Sequence, residues 1–359
     1  MAFSIHARMI RTVVAAVGLM AAGAAIAADG SVDDVYLALG KGDETRALAL
    51  SADLLAHVRD SDPQRRAVLQ ARLDALYQLD KFDQGAALLR AAAARDAAFE
   101  ARIALTDALV HGHPADALTR LAELEPAASP DELAELRAIE MRAAALVDGH
   151  LEQARGAAQG VLDAFTHVKG VRSAWLQVEA RHFVTNVYYY TGSKADALAQ
   201  SQAAFDLAVA VFGADSASRL RIDLDRASAL VDLGRPSEAL AVREGALAVT
   251  RKLYGEISIQ SAKAEAMIGA SLQEIGDYPS SSKRYAHAEE VLAQLTDPPS
   301  HDVGVIEANY GNLLQEMDDT EGSLAQYRKA LHAWADDPQA KRARAVVYAN
   351  TGNTEFRIG

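Results

Sequence analysis

The sequence contains no cysteine, which excludes disulfides and thiolate metal sites. Aromatic residues are also scarce, at 6% of 359 residues, although half of the chain is hydrophobic. The apolar content is carried mostly by Ala and Leu, a mixture that favours closely packed helices over a sheet protein. The composition therefore predicts an all-α protein whose stability comes from helix packing.

Basic residues are too few to balance the acidic ones. The chain has 36 Lys and Arg against 49 Asp and Glu, a formal net charge of −13. An acidic balance of this size argues against nucleic acid, or an anionic membrane surface, as the main partner. Beyond residue 27 the sequence has no stretch apolar enough to cross a membrane, so stable membrane insertion of the mature chain is not expected.

The N-terminal segment, residues 1–27, has the layout of a secretory signal peptide. Arg8 and Arg11 precede an uncharged run over residues 12–27, which ends in the small-x-small sequence Ala25-Ile26-Ala27. The run is shorter than the ~20 residues of a membrane-spanning helix, although an uncleaved anchor is the alternative interpretation. We therefore expect a mature protein that begins near residue 28 and is periplasmic or secreted.

A turn recurs along the chain and divides it into units. Over the C-terminal half its markers are evenly spaced, as from Gly192 to Gly234 and on to Gly276, whereas the N-terminal spacing is irregular. The markers are Gly42, Asp80, Gly112, Gly149, Gly192, Gly234, Gly276, Asp318 and Gly359. A fixed period of this length indicates an array of repeated two-helix units. The predicted organisation is a degenerate N-terminal set of repeats over residues 28–170 and a regular array over residues 171–359, with the last repeat incomplete.

Each marker is followed five residues later by a small residue, where the two helices of a hairpin can approach closely. These residues are Ala47, Gly85, Ala117, Ala154, Ala197, Ala239, Ser281 and Ser323. Large apolar residues at helical spacing are expected to form the core of the hairpin. They include Ile268, Leu272, Ile275 and Leu314. Three serines that recur with the period of the array, Ser216, Ser258 and Ser300, are predicted to cap the following helices.

The units resemble tetratricopeptide repeats, in the 42-residue form found in kinesin light chains and in the N-terminal region of bacterial multidomain proteins of the CHAT-peptidase type. Two segments carry the resemblance, ASALVDLGRPSEALAVREGAL and MIGASLQEIGDYPSSSKRYAHAEEVL, with Gly269 and Gly311 at the small position of the first helix. The resemblance implies a right-handed superhelix of antiparallel helical hairpins, a TPR-type α-solenoid, whose first helices line a concave groove.

In peptide-binding members of that family, groove side chains, often Asn, hydrogen-bond an extended ligand. The matching positions in this chain are His182, Asn186, Tyr189, Tyr190, Asn309, Asn312, Gln315, Asn350 and Asn353. Asn is a poor residue for a helix interior, so its recurrence at one helical phase needs a reason. Two reasons stay open at this stage: contact with a ligand, or hydrogen bonds between neighbouring repeats. The two tyrosines are likewise either binding anchors or packing residues.

The sequence offers little support for catalysis. The ten histidines are scattered, and His111 and His113 flank a turn glycine without further ligands at metal spacing. No phosphate-binding glycine loop or nucleophile elbow is present. We therefore expect no enzyme activity, no cofactor and no metal in this chain.

Two functions fit this pattern. The first is an exported scaffold whose groove binds a peptide or protein segment. The second is the sensory or substrate-recruiting arm of a larger exported enzyme, such as a CHAT-type peptidase or a signalling protein, whose catalytic part lies beyond residue 359. The incomplete last repeat favours a chain that continues. The sequence does not identify the partner.

Overall fold

The computed structural model describes residues 30–59, 62, 64–79, 81–91, 101, 103–104, 113–127, 130–145, 147, 149–165, 170–337 and 340–358. The predicted signal peptide lies outside these residues. So do His111 and the turn markers Asp80, Gly112 and Gly359.

The described residues form α-helices joined by short turns, with one 3₁₀ turn at Glu125–Ala127, and contain no strand. The prediction of an all-α fold is therefore confirmed. The helices are α1 (Val32–Lys41), α2 (Glu44–His57), α3 (Arg65–Gln78), α4 (Phe82–Ala91), α5 (Pro114–Leu124), α6 (Pro130–Ala145), α7 (Leu151–Phe165), α8 (Val171–Tyr190), α9 (Lys194–Phe212), α10 (Ala217–Asp232), α11 (Pro236–Tyr254), α12 (Ile259–Ile275), α13 (Tyr278–Leu292), α14 (Ser300–Glu316), α15 (Thr320–Ala333) and α16 (Lys341–Ile358).

The repeated turn has the same backbone conformation in successive repeats. Gly276 ends α12 with φ 88° and ψ 8°, in the left-handed region that glycine adopts without steric cost. Asp318 takes the same place in the next repeat with φ 61°. The small residue five positions after each turn is fully buried in seven units, which are those of Ala47, Ala117, Ala154, Ala197, Ala239, Ser281 and Ser323. Their burial is consistent with the predicted close approach of the two helices at these positions.

Two local predictions are wrong. Ile275 was expected in the hairpin core but is 40% exposed, because it is the last residue of α12, next to the turn at Gly276. Ser300 does not cap α14, since Pro299 holds the cap position and no side chain bonds there. The other two serines do cap their helices: Ser216 Oγ accepts from the Arg219 amide at 3.2 Å and Ser258 Oγ from the Ser261 amide at 3.1 Å.

Internal contacts divide the chain into two compact units, one up to Ile222 and one from Asp223 onward. The predicted boundary near residue 170 concerns sequence regularity, and it stays a prediction. In the first unit, α1 packs against α2 and also against α8 and α9, far along the chain. Tyr36 carries this contact, with its ring centroid 5.4 Å from that of Trp175 and its hydroxyl donating to Asp74 Oδ2 at 2.7 Å. In an ideal repeat array each repeat contacts only its neighbours. The contacts of α1 with α8 and α9 therefore make the first unit different from an ideal array.

In the second unit, α12 pairs with α13 and α14 with α15, and α16 packs against α15. In both hairpins a glycine of the first helix lies under a tyrosine of the second. A Cβ atom on Gly269 would lie 2.9 Å from the Tyr285 ring, and one on Gly311 would lie 2.7 Å from the Tyr327 ring. Both tyrosines are almost completely buried. The missing Cβ therefore makes the space for each ring.

Acidic side chains are buried at one repeated position of the first helices, occupied by Asp223, Glu265 and Glu307. Glu265 is fully buried and accepts hydrogen bonds from Arg251 Nη2 at 2.6 Å and Arg284 Nη1 at 2.9 Å. A buried carboxylate is tolerated when cations and hydrogen bonds compensate its lost hydration. Glu265 thus links its own helix to the helices before and after it.

Glu307 has a different environment. Its side chain is 6% exposed, and no described group hydrogen-bonds its Oε2 atom. Burial, reinforced by the neighbouring Glu289 carboxylate, raises the pKa of Glu307 to about 8, against the opposing field of Lys329. The Lys329 ammonium is already paired with Glu289. The raised pKa favours the protonated form of Glu307 in the folded protein.

Replacing Gly311 with Ala is expected to destabilise the fold by roughly 1–3 kcal/mol, because the added methyl group overlaps the Tyr327 ring. The matched control is Gly352→Ala in α16, where nothing lies within 4 Å and the substitution should stabilise the helix by up to about 1 kcal/mol. Urea unfolding of both variants measures the difference. Equal stabilisation by the two substitutions would contradict the packing described.

The stability of the fold should fall as pH rises from about 5 to 9. The folded-state pKa of Glu307 lies above its unfolded value of 4.5, so its contribution is fully present below 4.5 and is lost as pH passes about 8. Each pH unit between the two pKa values corresponds to about 1.4 kcal/mol. Glu307→Gln cannot lose a proton, so its unfolding free energy should decline less over this range. Denaturant titrations of both proteins at several pH values test this, and parallel pH profiles would refute it.

Candidate functional site

A concave pocket of about 680 Å³ opens on the second unit. Its lining comes from the first helices of successive repeats, α12, α14 and α16, with one side chain from α13 and one from the turn after α14. The lining residues are Ala270, Gln273, Tyr285, Asn309, Asn312, Gln315, Glu316, Asp318 and Asn350.

The pocket brings together four of the residues that the sequence singled out: Asn309, Asn312, Gln315 and Asn350. Asn353, the remaining candidate in this unit, is exposed on α16 and is not part of the lining. The repeated amides of α14 and α16 therefore meet in one place, which the phase of the repeats predicted.

Asn312 joins three helices through hydrogen bonds. Its Oδ1 atom accepts from the Tyr327 hydroxyl of α15 at 2.8 Å and from Asn350 Nδ2 of α16 at 3.0 Å. The Tyr327 hydroxyl also lies 3.0 Å from Gln315 Oε1. Since a hydroxyl carries one hydrogen, it donates to one of the two amide oxygens at a time. For Asn312 and Asn350 the structure thus contains the bonds between repeats that the sequence left as one of two explanations.

Asn309 differs from Asn312, although it lies one turn earlier on the same helix. Its side chain is exposed to the pocket, and it makes no hydrogen bond to any residue that the structure describes. An amide in this position presents both donors and an acceptor to whatever enters the pocket. Asn309 therefore differs from Asn312 in that its amide is exposed at the pocket and forms no bond between repeats within the described residues.

The other four candidates lie on α8 of the first unit. Asn186 Nδ2 donates to the His182 carbonyl at 2.9 Å, one helical turn back. Tyr189 and Tyr190 form an edge-to-face pair with ring centroids 5.2 Å apart. The ammonium of Lys194 lies 3.5 Å from the centroid of the Tyr189 ring, so one face of that ring is already in contact with a cation. Tyr190 is 37% exposed, which leaves it the more accessible of the two tyrosines.

Sequence reasoning missed the remaining lining residues, Ala270, Gln273, Tyr285, Glu316 and Asp318. Three of them could have been found from the repeat period, which relates each to a residue of the next repeat. The positions equivalent to Asn312, Gln315 and Tyr327 in the preceding repeat are those of Ala270, Gln273 and Tyr285. The pocket thus lies where a small Ala replaces the Asn that bonds Tyr327 one repeat later.

Two further properties of the described residues concern the requirements of a metal site and of a membrane-spanning helix. Across the described part of the chain, no group of three or more His, Asp or Glu side chains is arranged to hold a metal ion. Within the same residues, no helix combines the length and apolar character that a bilayer span requires.

Asn312→Ala should lower the free energy of unfolding by roughly 1–3 kcal/mol, because it removes the acceptor of two partly buried hydrogen bonds. Asn309→Ala should leave stability unchanged or slightly raised, since Ala is the better helix former and no described bond is lost. Thermal and urea unfolding of the two single variants compare the positions. Equal losses would mean that Asn309 also bonds a neighbouring repeat.

No protein-family model matches the sequence, and no curated protein matches it either. Solved structures do match the fold. A signal transduction ATPase with numerous domains (STAND) from Pyrococcus horikoshii, described as having a tetratricopeptide repeat sensor, aligns with a TM-score of 0.64 at 12% identity, over 91% of this chain and 50% of that one.

Two further structures align over most of their own length. A Rap protein complexed with Competence and Sporulation Factor has a TM-score of 0.50 at 12% identity, over 91% of this chain and 97% of its own. BtubC (BKLC) from P. vanneervenii has a TM-score of 0.50 at 16% identity, over 71% of this chain and 91% of its own. At such identities the likeness concerns the fold alone. This chain has the fold of the tetratricopeptide-repeat α-solenoids.

Proposed function

We propose that this chain is an interaction scaffold and that the pocket on its second unit binds a peptide or a segment of a partner protein. The observation that carries the proposal is the convergence of four amide side chains from α14 and α16 on one cavity. The cavity volume of about 680 Å³ is within the usual range for ligand pockets, about 300–1,000 Å³.

Amide side chains suit an extended peptide because each offers a donor and an acceptor that complement a backbone C=O and N–H. Asn312 and Asn350 are held in place by bonds to Tyr327 and to each other, so little side-chain freedom is lost when a ligand binds. Asn309 then supplies the amide whose hydrogen-bonding groups face the pocket.

The structural comparisons support binding without identifying the partner. The Rap protein of the same fold is described in complex with Competence and Sporulation Factor. Together with the acidic composition, this favours a protein or peptide partner over nucleic acid. A scaffold needs no catalytic groups of its own, in keeping with a non-enzymatic role for this chain.

A second candidate function is a sensory or recruiting arm of a larger protein. The description of the STAND ATPase as a protein with a tetratricopeptide repeat sensor favours it, as does the alignment of this chain with half of that one. The CHAT-peptidase form of this hypothesis rests on the sequence resemblance alone. Determining whether the coding sequence continues past codon 359 distinguishes an arm from a separate scaffold.

We also propose that the scaffold acts outside the cytoplasm, in the periplasm or as a secreted protein. The support is the signal-peptide layout of residues 1–27. N-terminal sequencing of protein recovered from its native host should begin near residue 28, and recovery of an intact Met1 would reject this location.

Peptides selected from a random phage-displayed library against the purified chain test the binding function. We expect selected peptides to bind with micromolar Kd by fluorescence polarisation, and Asn309→Ala to weaken binding about tenfold, as the loss of one to two kcal/mol of hydrogen bonding would. The matched control is Asn353→Ala, an exposed Asn of α16 outside the pocket.

Binding that is insensitive to Asn309, or equally sensitive to Asn353, would place the peptide elsewhere on the protein. Failure of the library to yield any binder, with the folded state verified by circular dichroism, would count against peptide recognition and favour the arm of a larger assembly.

A further inference from the structure

The ring of Tyr285 is held rigidly at the edge of the pocket. One side of the ring packs against Gly269, where a Cβ atom would lie only 2.9 Å away. Its ring also stacks on that of Tyr310, with centroids 5.4 Å apart and planes inclined by 10°. The residue is 1% exposed and still lines the pocket. The position of its hydroxyl is therefore fixed by packing before any ligand arrives.

Tyr285 and Tyr327 occupy the same position in successive repeats, but their hydroxyls differ in hydrogen bonding. The Tyr327 hydroxyl bonds Asn312 and Gln315. The place of Asn312 is taken by Ala270 one repeat earlier. No residue that the structure describes forms a hydrogen bond with the Tyr285 hydroxyl.

A phenol hydroxyl in a protein interior normally has a hydrogen-bond partner, either a protein group or water. Ala270, which is smaller than the Asn at the equivalent position of the next repeat, lines the same pocket as Tyr285. The Tyr285 hydroxyl thus reaches the pocket without a hydrogen-bond partner among the described residues, so a polar group from outside the chain can bond to it there.

The charged residues around the pocket indicate which charge a ligand group bound to the Tyr285 hydroxyl would carry. The charged side chains of the lining are Glu316 and Asp318, both carboxylates, and Glu316 is exposed. Burial, with the fields of Glu274 and Glu316, raises the pKa of Tyr285, so its phenol is neutral. The field of Arg243 acts in the opposite direction, but its guanidinium is bound to Ser271 and to the Met267 carbonyl.

We propose that the pocket receives a lysine or arginine side chain of the bound segment, with the Tyr285 hydroxyl accepting a hydrogen bond from its cationic head and Glu316 supplying the opposite charge. This inference rests on the proposed peptide-binding function and specifies its partner. Because the head of a Lys or Arg side chain has donors alone, it matches an oxygen acceptor and a carboxylate.

The first experiment titrates the full chain, labelled with ¹³C at tyrosine Cζ, with Nα-acetyl-lysine methylamide and with the uncharged Nα-acetyl-norleucine methylamide. Tyr285→Phe assigns the Tyr285 signal. We expect the lysine probe to shift this signal saturably with a millimolar Kd, and the norleucine probe to bind at least tenfold more weakly. Glu316→Gln should weaken the lysine probe threefold to tenfold, whereas Glu290→Gln, an exposed carboxylate of α13 outside the pocket, should leave it unchanged.

The second experiment compares the stability of Tyr285→Phe and Tyr327→Phe, each of which removes one hydroxyl. Tyr327→Phe should lower the melting temperature, since its hydroxyl is bonded to Asn312 and Gln315. Tyr285→Phe should leave it unchanged or raised, because no hydrogen bond to a described residue is lost. It should also abolish the preference for the lysine probe over norleucine, followed in this variant by the Cζ signal of Tyr310, whose ring stacks on the ring at position 285.

Equal binding of the two probes, no shift of the Tyr285 signal, or a loss of melting temperature in Tyr285→Phe as large as in Tyr327→Phe would each overturn the inference. The outcomes separate it from the proposed function. Selected peptides that bind through Asn309 but lack a cationic side chain would leave peptide binding intact and reject the cation. If the lysine probe binds but no peptide does, the cation site is supported and the proposed peptide-binding function is rejected.

Discussion

The close approach of the two helices in each hairpin is the constraint on which the rest of the structure depends. A fully buried small residue five positions after the turn sets this distance in both units, as Ala47 and Ser281 illustrate. Helices held this close leave little room for large side chains at the contact, which is why Ala dominates the core and aromatic residues are few. Where an aromatic ring does occupy the hairpin, as at Tyr285 and Tyr327, a glycine on the facing helix makes its space.

The same constraint places the polar groups of the pocket. Because Tyr285 and Tyr327 are fixed between a glycine and the neighbouring helix, the position of each hydroxyl follows from packing and not from the ligand. Tyr327 then orients Asn312, which in turn orients Asn350. The pocket is therefore an extension of the core: Asn312 both lines it and bonds the neighbouring helices, whereas Asn309 lines it without such bonds to the described residues.

The period of the sequence was sufficient to predict the helical hairpins, the turn conformation and the buried small positions, because these depend on contacts within one repeat. It also placed the amides of α14 and α16 on a common face. It could not distinguish Asn309 from Asn312, since the difference lies in whether Tyr327 and Asn350 are within reach, a matter of tertiary distance. Nor does any local pattern indicate that Tyr36 packs on Trp175, because that contact joins helices separated by several intervening repeats.

Differences between repeats determine where a pocket forms in an array whose units are otherwise alike. If every unit had the sequence of the one around Asn312, each tyrosine hydroxyl would be bonded internally and the first helices would present a uniform surface. The replacement of that Asn by Ala270 breaks the uniformity at one place, and there the pocket forms. A buried acid at the corresponding position of successive helices shows the same principle in the core: Glu265 is compensated by two arginines, whereas the cation beside Glu307 is already paired with another carboxylate. In this chain the residues that recur with the period hold the helices together, whereas Ala270, which differs from its equivalent Asn312, lines the pocket.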